Sequence, residues 1–333
     1  MKRGVAFAAA ALVAMLACFA TLCFAAGDPL PSWRDGAAKQ TIVGFVDKVT
    51  LRGGPDFVPP AQRIATFDND GTLWAEQPMY FQFFFALDRL KQMAPSHPEW
   101  KNNPTVQAAL SGDPARLAKL GNKGLLELVG LTHSGLTAQR MQELAKAWLK
   151  TARNPRRKML FIQMVYQPML ELLIYLRAHG FKTFIVSGGG VDFIRAFSQD
   201  VYGIPPEQVI GSSLKAKFEL TGGKPEVVKL PQVNSIDDGD GKPVNIELHI
   251  GQRPIMAVGN SDGDLAMLQW TAAGAGPRLM MLVHHDDAAR EFAYDRKSHV
   301  GRLDKALDQA RRDGWTVVSM SNDFARVFPS DQK

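Results

Sequence analysis

The chain has 333 residues, 46% hydrophobic and 22% charged, with a formal net charge of +6. That balance fits a folded globular protein of one large or two medium domains and excludes a disordered or fibrous chain. Both cysteines, Cys18 and Cys23, fall within the first 26 residues, so the remainder has no disulfide, no thiolate catalysis and no Cys-zinc site.

Lys2 and Arg3 precede an unbroken run of apolar and small residues from Gly4 to Ala26, which Gly27-Asp28-Pro29 stops. The pattern predicts a secretory signal over 1–26, cleaved near Ala25 or Ala26. The run is also long enough to span a bilayer as an anchor. A lipid anchor on Cys18 fits less well, because the apolar run continues through Phe19 and Phe24. Removal of the signal would leave an exported protein, periplasmic in a Gram-negative cell, with no stable membrane association and a net charge two units lower.

Ile42, Val43, Phe45, Val46 and Val49 recur at helical spacing, which predicts a helix over 35–51 ended by Gly53-Gly54-Pro55. A short apolar run at 64–67 then meets Asp68, and similar runs recur at 183–186, 254–258 and 279–283. Each leads into polar or Gly-rich residues and then a helical pattern, which predicts a mostly parallel sheet covered on both faces. Between the first two runs, helices are predicted at 79–93, 105–120, 136–152 and 168–179, punctuated by Pro95, Pro98, Pro104, Pro114 and Pro155. The expected fold class is α/β: a parallel-sheet core from 27–75 and 165–333, with a mainly helical cap inserted at 76–164. Within the core, "GSSLKAKFELTGGKP" predicts a strand pair turning at Thr221-Gly222-Gly223. Lys150, Arg153, Arg156, Arg157 and Lys158 read as a solvated basic face. Without aromatic interleaving or a recognition motif they imply no nucleic-acid partner.

In open α/β sheets, ligands sit at the carboxyl ends of the strands. There the chain offers Asp68-Asn69-Asp70-Gly71-Thr72, Ser187-Gly188-Gly189-Gly190 and Asn260-Ser261-Asp262-Gly263-Asp264. A strand-end carboxylate can attack phosphorus, and a second one two residues on can share its pocket and move protons. Two close carboxylates call for a cation such as Mg²⁺, yet Asp and Asn before Gly also suit a plain turn. Ser187 and the glycines suit an anion near a helix start. Lys242, opening a helix in "GDGKPVNIELHI", can oppose charge on a phosphoryl group, with Lys215, Lys224 and Lys229 as competitors. Asn260, Asp262 and Asp264 bring three oxygen-bearing side chains within five residues, as a Mg²⁺ loop would. In "LVHHDDAAREF", His284, His285, Asp286 and Asp287 read as a helix start with Asp caps rather than a metal site.

Taken in order, Asp68-x-Asp70-Gly-Thr-Leu, Ser187-Gly-Gly, Lys242 and Gly259-Asn260-x-x-x-Asp264 resemble the four motifs of the haloacid dehalogenase (HAD) superfamily. The Ser-Gly-Gly form and the helical insertion after the first motif resemble its phosphoserine phosphatase-like branch with a type 1 cap. The resemblance implies a Rossmann-like core and a phosphomonoester hydrolase of small metabolites. Asp68 would be the nucleophile that becomes an aspartyl-phosphate, and Asp70 the general acid and then base. Mg²⁺ would be held by Asp68, the Asp70 carbonyl and Asn260, with Asp264 or Asp262 completing the shell. Ser187, Lys242, Thr72 and the amides around Gly188 would hold the phosphoryl group. An acid at 70 fits ester hydrolysis, since a halide leaves without protonation. Substrate choice would rest with cap residues beginning at Trp74, Glu76, Met79 and Tyr80, Glu76 being placed to meet a substrate amine or hydroxyl. One departure stands out: the family usually has Asp where this chain has Asn260, which predicts weaker Mg²⁺ binding and a gain on Asn260→Asp. A phosphotransferase or mutase, or a noncatalytic phosphate- or metal-binding exported protein, remains compatible at this stage. The oligomeric state is not legible.

Overall fold

The computed structural model describes residues 27–331; the apolar run at 4–26 and the export signal expected there lie outside them. Among the described residues eight strands form one sheet in the order β4-β3-β2-β1-β5-β6-β7, with β8 also on β6. At its centre β1 (Ile64–Phe67) lies parallel between β2 (Lys182–Gly190) and β5 (Met256–Gly259), and β6 (Leu279–Asp286) and β8 (Thr316–Ser319) continue it in parallel. The four apolar runs in the sequence correspond to β1, β2, β5 and β6. Every residue of β1 and β5 is buried, as a parallel strand covered on both faces requires, so these runs are continuous rather than alternating.

Side chains on the strands alternate between two apolar layers. Phe67, Ile185, Val258 and Met281 face one layer with α1 (Ala37–Thr50) and α6 (Gln167–Ala178). Val186, Ala257 and Leu282 face the other with α9 (Gly241–Ile250), α10 (Leu265–Ala272) and α11 (Lys305–Asp313). Short helices α7 (Val191–Arg195) and α8 (Ser198–Tyr202) follow β2, and α12 (Met320–Asp323) follows β8.

Between β1 and α6 run α2 (Phe81–Met93), α3 (Pro104–Ser111), α4 (Pro114–His133) and α5 (Ala138–Leu149). The stretch expected as one helix at 105–120 is two. Gly112, at φ +66°, ends α3 in the left-handed conformation, and α4 continues to His133 across a break at Gly121. Phe83, Leu90, Trp100, Val106 and Leu128 give this insertion its own apolar cluster, whereas Met141, Ala145 and Leu149 of α5 join the main core.

The strand pair is larger than its turn implied. β3 (Val209–Thr221) starts beside β2 and then runs out as an antiparallel hairpin with β4 (Lys224–Ser235). The hairpin meets the insertion: the Lys229 amide donates to Leu136 O and the Gly135 amide to Lys229 O, both at 2.9 Å. At "LVHHDDAAREF" β6 itself runs to Asp286, and β7 (Ala293–Tyr294) returns antiparallel to it. The helix start expected there is therefore a strand end and a turn, where Asp287 Oδ1 accepts from the Arg290 amide at 3.0 Å. Nor is the basic cluster wholly solvated, because the Arg156 and Arg157 guanidinium groups lie over Phe292 and Phe328 at 4.2 and 5.2 Å.

Candidate active site

Because β2, β1 and β5 are adjacent and parallel, their carboxyl ends deliver Ser187, Asp68 and Asn260 to one edge of the sheet. The Asp68 amide extends the ladder to Val258 O at 2.9 Å, and the chain then turns on Asn69, whose carbonyl accepts from the amides of Thr72, Leu73 and Trp74. Gly71 makes that turn possible. It lies at φ +75°, and a Cβ there would strike the Asn260 amide and the Glu76 carboxylate. Trp74 is buried against Phe81 and Phe197, and its Nε1 donates to Asp70 Oδ1 at 2.8 Å. It thus anchors Asp70 from below rather than lining a cap.

Lys242, one residue into α9, is 1% exposed. Its three protons go to Asp68 Oδ1 at 2.7 Å, Asp264 Oδ1 at 2.6 Å and Val186 O at 2.8 Å. Burial opposes its charge, but the carboxylates of Asp264, Asp68 and Asp237 outweigh that and keep it protonated. Burial pushes the Asp68 carboxyl well above the usual carboxylate range; repulsion from Asp264 and Asp70 adds to this and Lys242 opposes it. Burial raises Asp70 to about 6, with the Trp74 hydrogen bond working the other way.

The predicted loop at 260–264 divides its work differently from expectation. Asp264 has both oxygens engaged: Oδ1 on Lys242, and Oδ2 accepting from the Asn260 and Ser261 amides at 2.9 and 3.0 Å. It lines the cavity beside Asp68, where it holds the lysine and shapes the loop. Asp262 turns away altogether, its Oδ1 accepting from the Asp304 and Ala306 amides at the start of α11. Thr72 is fully buried and donates to Asn260 Oδ1 at 3.1 Å, so its hydroxyl positions Asn260 instead of facing the cavity. Asn260 Nδ2 donates to Glu76 Oε1 at 2.7 Å, and the Tyr294 hydroxyl donates to the same oxygen at 2.8 Å. Glu76 is thus part of the Asn260 corner.

Ser187 is fully buried and accepts from the Gly189 amide at 3.1 Å; with Gly188, Asp68 and Asp70 it forms the floor of a cavity of about 220 Å³. Its upper walls are largely apolar, with Phe83, Leu126, Val129 and Met141 from the insertion and Leu214 and Val233 from the hairpin, but Gln82 and His133 of the insertion and Lys229 of the hairpin also line it. One ion pair, Lys229 to Asp192 at 2.7 Å, joins the hairpin to α7 at the wall. Sequence reasoning missed two contributors, Gln82 and Asp237, and left open which histidine of the 284–285 pair comes near the site. Gln82 of α2 accepts from the Gly190 amide at 2.6 Å, tying the insertion to the glycine loop. Asp237 is buried under that loop, raised to about 6 by burial and held by Asn245 at 2.9 Å. His285 donates through Nε2 to Gly71 O at 2.7 Å and stacks on Tyr294, behind the turn that carries Asp68. Strand alternation lets only one of His284 and His285 face the site, and it is His285 that does.

The side chains that line the cavity around Asp68 offer oxygen donors, the carboxylates of Asp68, Asp70 and Glu76, with the Asn260 amide held against Glu76. Burial pushes Glu76 well above the usual range, and Asp70 and Asp68 add repulsion. Lys242 offsets only part of that negative charge, and an all-oxygen donor set fits a hard cation like Mg²⁺, which takes one or two carboxylates with neutral oxygens and water. Among the described residues no three His, Cys, Asp or Glu side chains are close-set for a metal, so neutral oxygens would have to contribute.

A family model for haloacid dehalogenase-like hydrolases matches residues 65–269, more than half of the chain. No curated protein gives a significant match. Among solved structures, a protein of unknown function from Anaerococcus prevotii DSM 20548 is 17% identical over 84% of this chain and 90% of its own, with a TM-score of 0.54, and shares the fold. One from Bordetella pertussis Tohama I is 14% identical over 77% and 98%, at a TM-score of 0.47. A phosphoserine phosphohydrolase-like protein from Francisella tularensis subsp. tularensis SCHU S4 is 17% identical over 66% and 87%, at 0.36. With the four motif regions gathered at one sheet edge and the family model spanning them, the chain belongs to the haloacid dehalogenase-like hydrolase family.

Proposed function

We propose that this hydrolase is an exported, Mg²⁺-dependent phosphomonoesterase, of the phosphoserine phosphatase-like kind, acting through an aspartyl-phosphate on small esters. The observation that carries the reading is the unequal treatment of two carboxylates on one cavity floor. Asp68 is gripped by Lys242, which favours its anion, while Asp70 is half-buried, has no bonded cation among the described residues and rests on Trp74. Asp68 attacks phosphorus as the ester P–O bond breaks, and protonated Asp70 gives its proton to the departing oxygen. Asp70 then takes a proton from water as the water attacks the same phosphorus, releasing phosphate and restoring Asp68. Ser187 and the Gly188–Gly189 backbone line the place of the phosphoryl oxygens. A Mg²⁺ held by Asp68, the Asp70 carbonyl and Asn260 would offset the negative charge gathered there.

The apolar walls support esters whose alcohol half is largely apolar, such as short alkyl or aryl phosphates, over free amino-acid or sugar phosphates. A panel spanning these classes, assayed for released phosphate with Mg²⁺ and with EDTA, tests this. Alkyl and aryl esters should show the highest kcat/KM, and EDTA should abolish turnover. No release from any ester with Mg²⁺ would refute the enzyme reading.

A further inference from the structure

The Asn260 corner holds a carboxylate with no evident counter-charge. Glu76 is 2% exposed, and its bonding partners are two neutral donors, Asn260 Nδ2 and Tyr294 OH. Among the described residues no Lys, Arg or His forms an ion pair with it, and it lines the same cavity as the carboxylates of Asp68 and Asp70. Burying a carboxylate in that company is costly unless a cation joins it. The backbone is nonetheless shaped to admit it. Gly71 at φ +75° and Gly301 at φ +64° both lie where a Cβ would collide with the Glu76 carboxylate.

Asn260 is equally constrained. Its Nδ2 must face the Glu76 acceptor and its Oδ1 the Thr72 hydroxyl, so the amide orientation is fixed by its neighbours. We propose that Glu76 and Asn260 form a charge-transposed pair, in which Glu76, from the loop after β1, supplies to the metal site the negative charge that the amide at 260 does not. This rests on the reading that Mg²⁺ occupies the Asp68 corner. Glu76 is then an anionic partner of the cation rather than a contact for a substrate amine. The expectation that Asn260→Asp alone improves metal binding also reverses, because the new carboxylate would face Glu76 in place of a donor.

The test is calorimetric titration of Mg²⁺, with Mn²⁺ followed by electron paramagnetic resonance, into the purified protein without substrate. Glu76→Gln keeps an acceptor for Asn260 and Tyr294 and removes only charge; its dissociation constant should rise about 10- to 100-fold. Glu76→Gln/Asn260→Asp restores the charge with donor and acceptor exchanged and should bind within about threefold of wild type. Asn260→Asp alone should lower the metal-free Tm, a loss the double variant should not share, which keeps the test informative if Glu76→Gln alone folds poorly. Wild-type affinity in Glu76→Gln, a double variant no tighter than Glu76→Gln, or an Asn260→Asp protein as stable as wild type would each overturn the pairing. A wild-type protein binding neither ion would overturn the metal assignment as well. Wild-type binding with an indifferent Glu76→Gln would overturn the pairing alone.

Discussion

Asp68 and Asp70 are two residues apart and chemically distinct because of what touches them. Burial raises both carboxyls, but Lys242 at 2.7 Å works for the Asp68 anion against burial and the repulsion of Asp264, while the Trp74 indole is the donor on Asp70, which burial raises to about 6. The Trp74 bond stabilises the ionised form, so removing it raises the Asp70 pKa further. The half-reaction that needs protonated Asp70 should weaken as pH rises through the wild-type value. In Trp74→Phe, at saturating Mg²⁺, that decline should begin at higher pH, as a kcat/KM profile would record; an unmoved profile would separate Trp74 from the proton transfer. The acids, Ser187 and Lys242 were legible because each ends an apolar run or opens a helix. Their partners were not. Nothing in the local pattern tells that Thr72 and Glu76 meet Asn260 across nearly two hundred residues, or that Asp262 is drawn off to cap α11.

At the scale of elements, α4 carries a residue whose titration reports on the packing of the insertion. His133, at the end of α4, is buried edge-on to Phe85, with Nδ1 on the Thr132 hydroxyl at 2.7 Å and Nε2 without a partner. Burial lowers its pKa to about 3. Between pH 6.5 and 3 the unfolded chain binds a proton that the folded protein refuses, so this group costs stability as pH falls and nothing above about pH 7. From pH 7 to 5 the loss is about 2 kcal/mol on the ordinary histidine value. His133→Leu should remove that part of the slope, and urea unfolding of both proteins at the two pH values measures it. Equal slopes would mean the ring is hydrated. The helices themselves were legible from periodicity, except that Gly112 and Gly121 broke the pattern and concealed α4 beyond residue 120. The length of β6 was concealed too, because His284, His285 and Asp286 look like loop residues until Tyr294 and Glu291 are seen to enclose His285.

Across the whole molecule, the site is a floor made by the sheet and a roof made by two segments far apart in sequence, the insertion and the β3–β4 hairpin. The floor was legible because a parallel sheet must gather the residues that end its strands. The roof was not, because Leu136 to Lys229 and Lys229 to Asp192 are contacts that only the folded chain creates. That arrangement narrows a partly apolar cavity of about 220 Å³ over Asp68; on the proposed mechanism, such walls would limit the access of water to the intermediate until the alcohol has left. The proposed mechanism requires one covalent bond, between Asp68 and phosphorus. Acid-quenched mixtures of protein, Mg²⁺ and an aryl phosphate, digested and analysed by mass spectrometry, should show phosphate on the peptide containing Asp68, and none in Asp68→Asn. An unmodified Asp68 peptide in an actively hydrolysing sample, or undiminished phosphate release by Asp68→Asn, would contradict it.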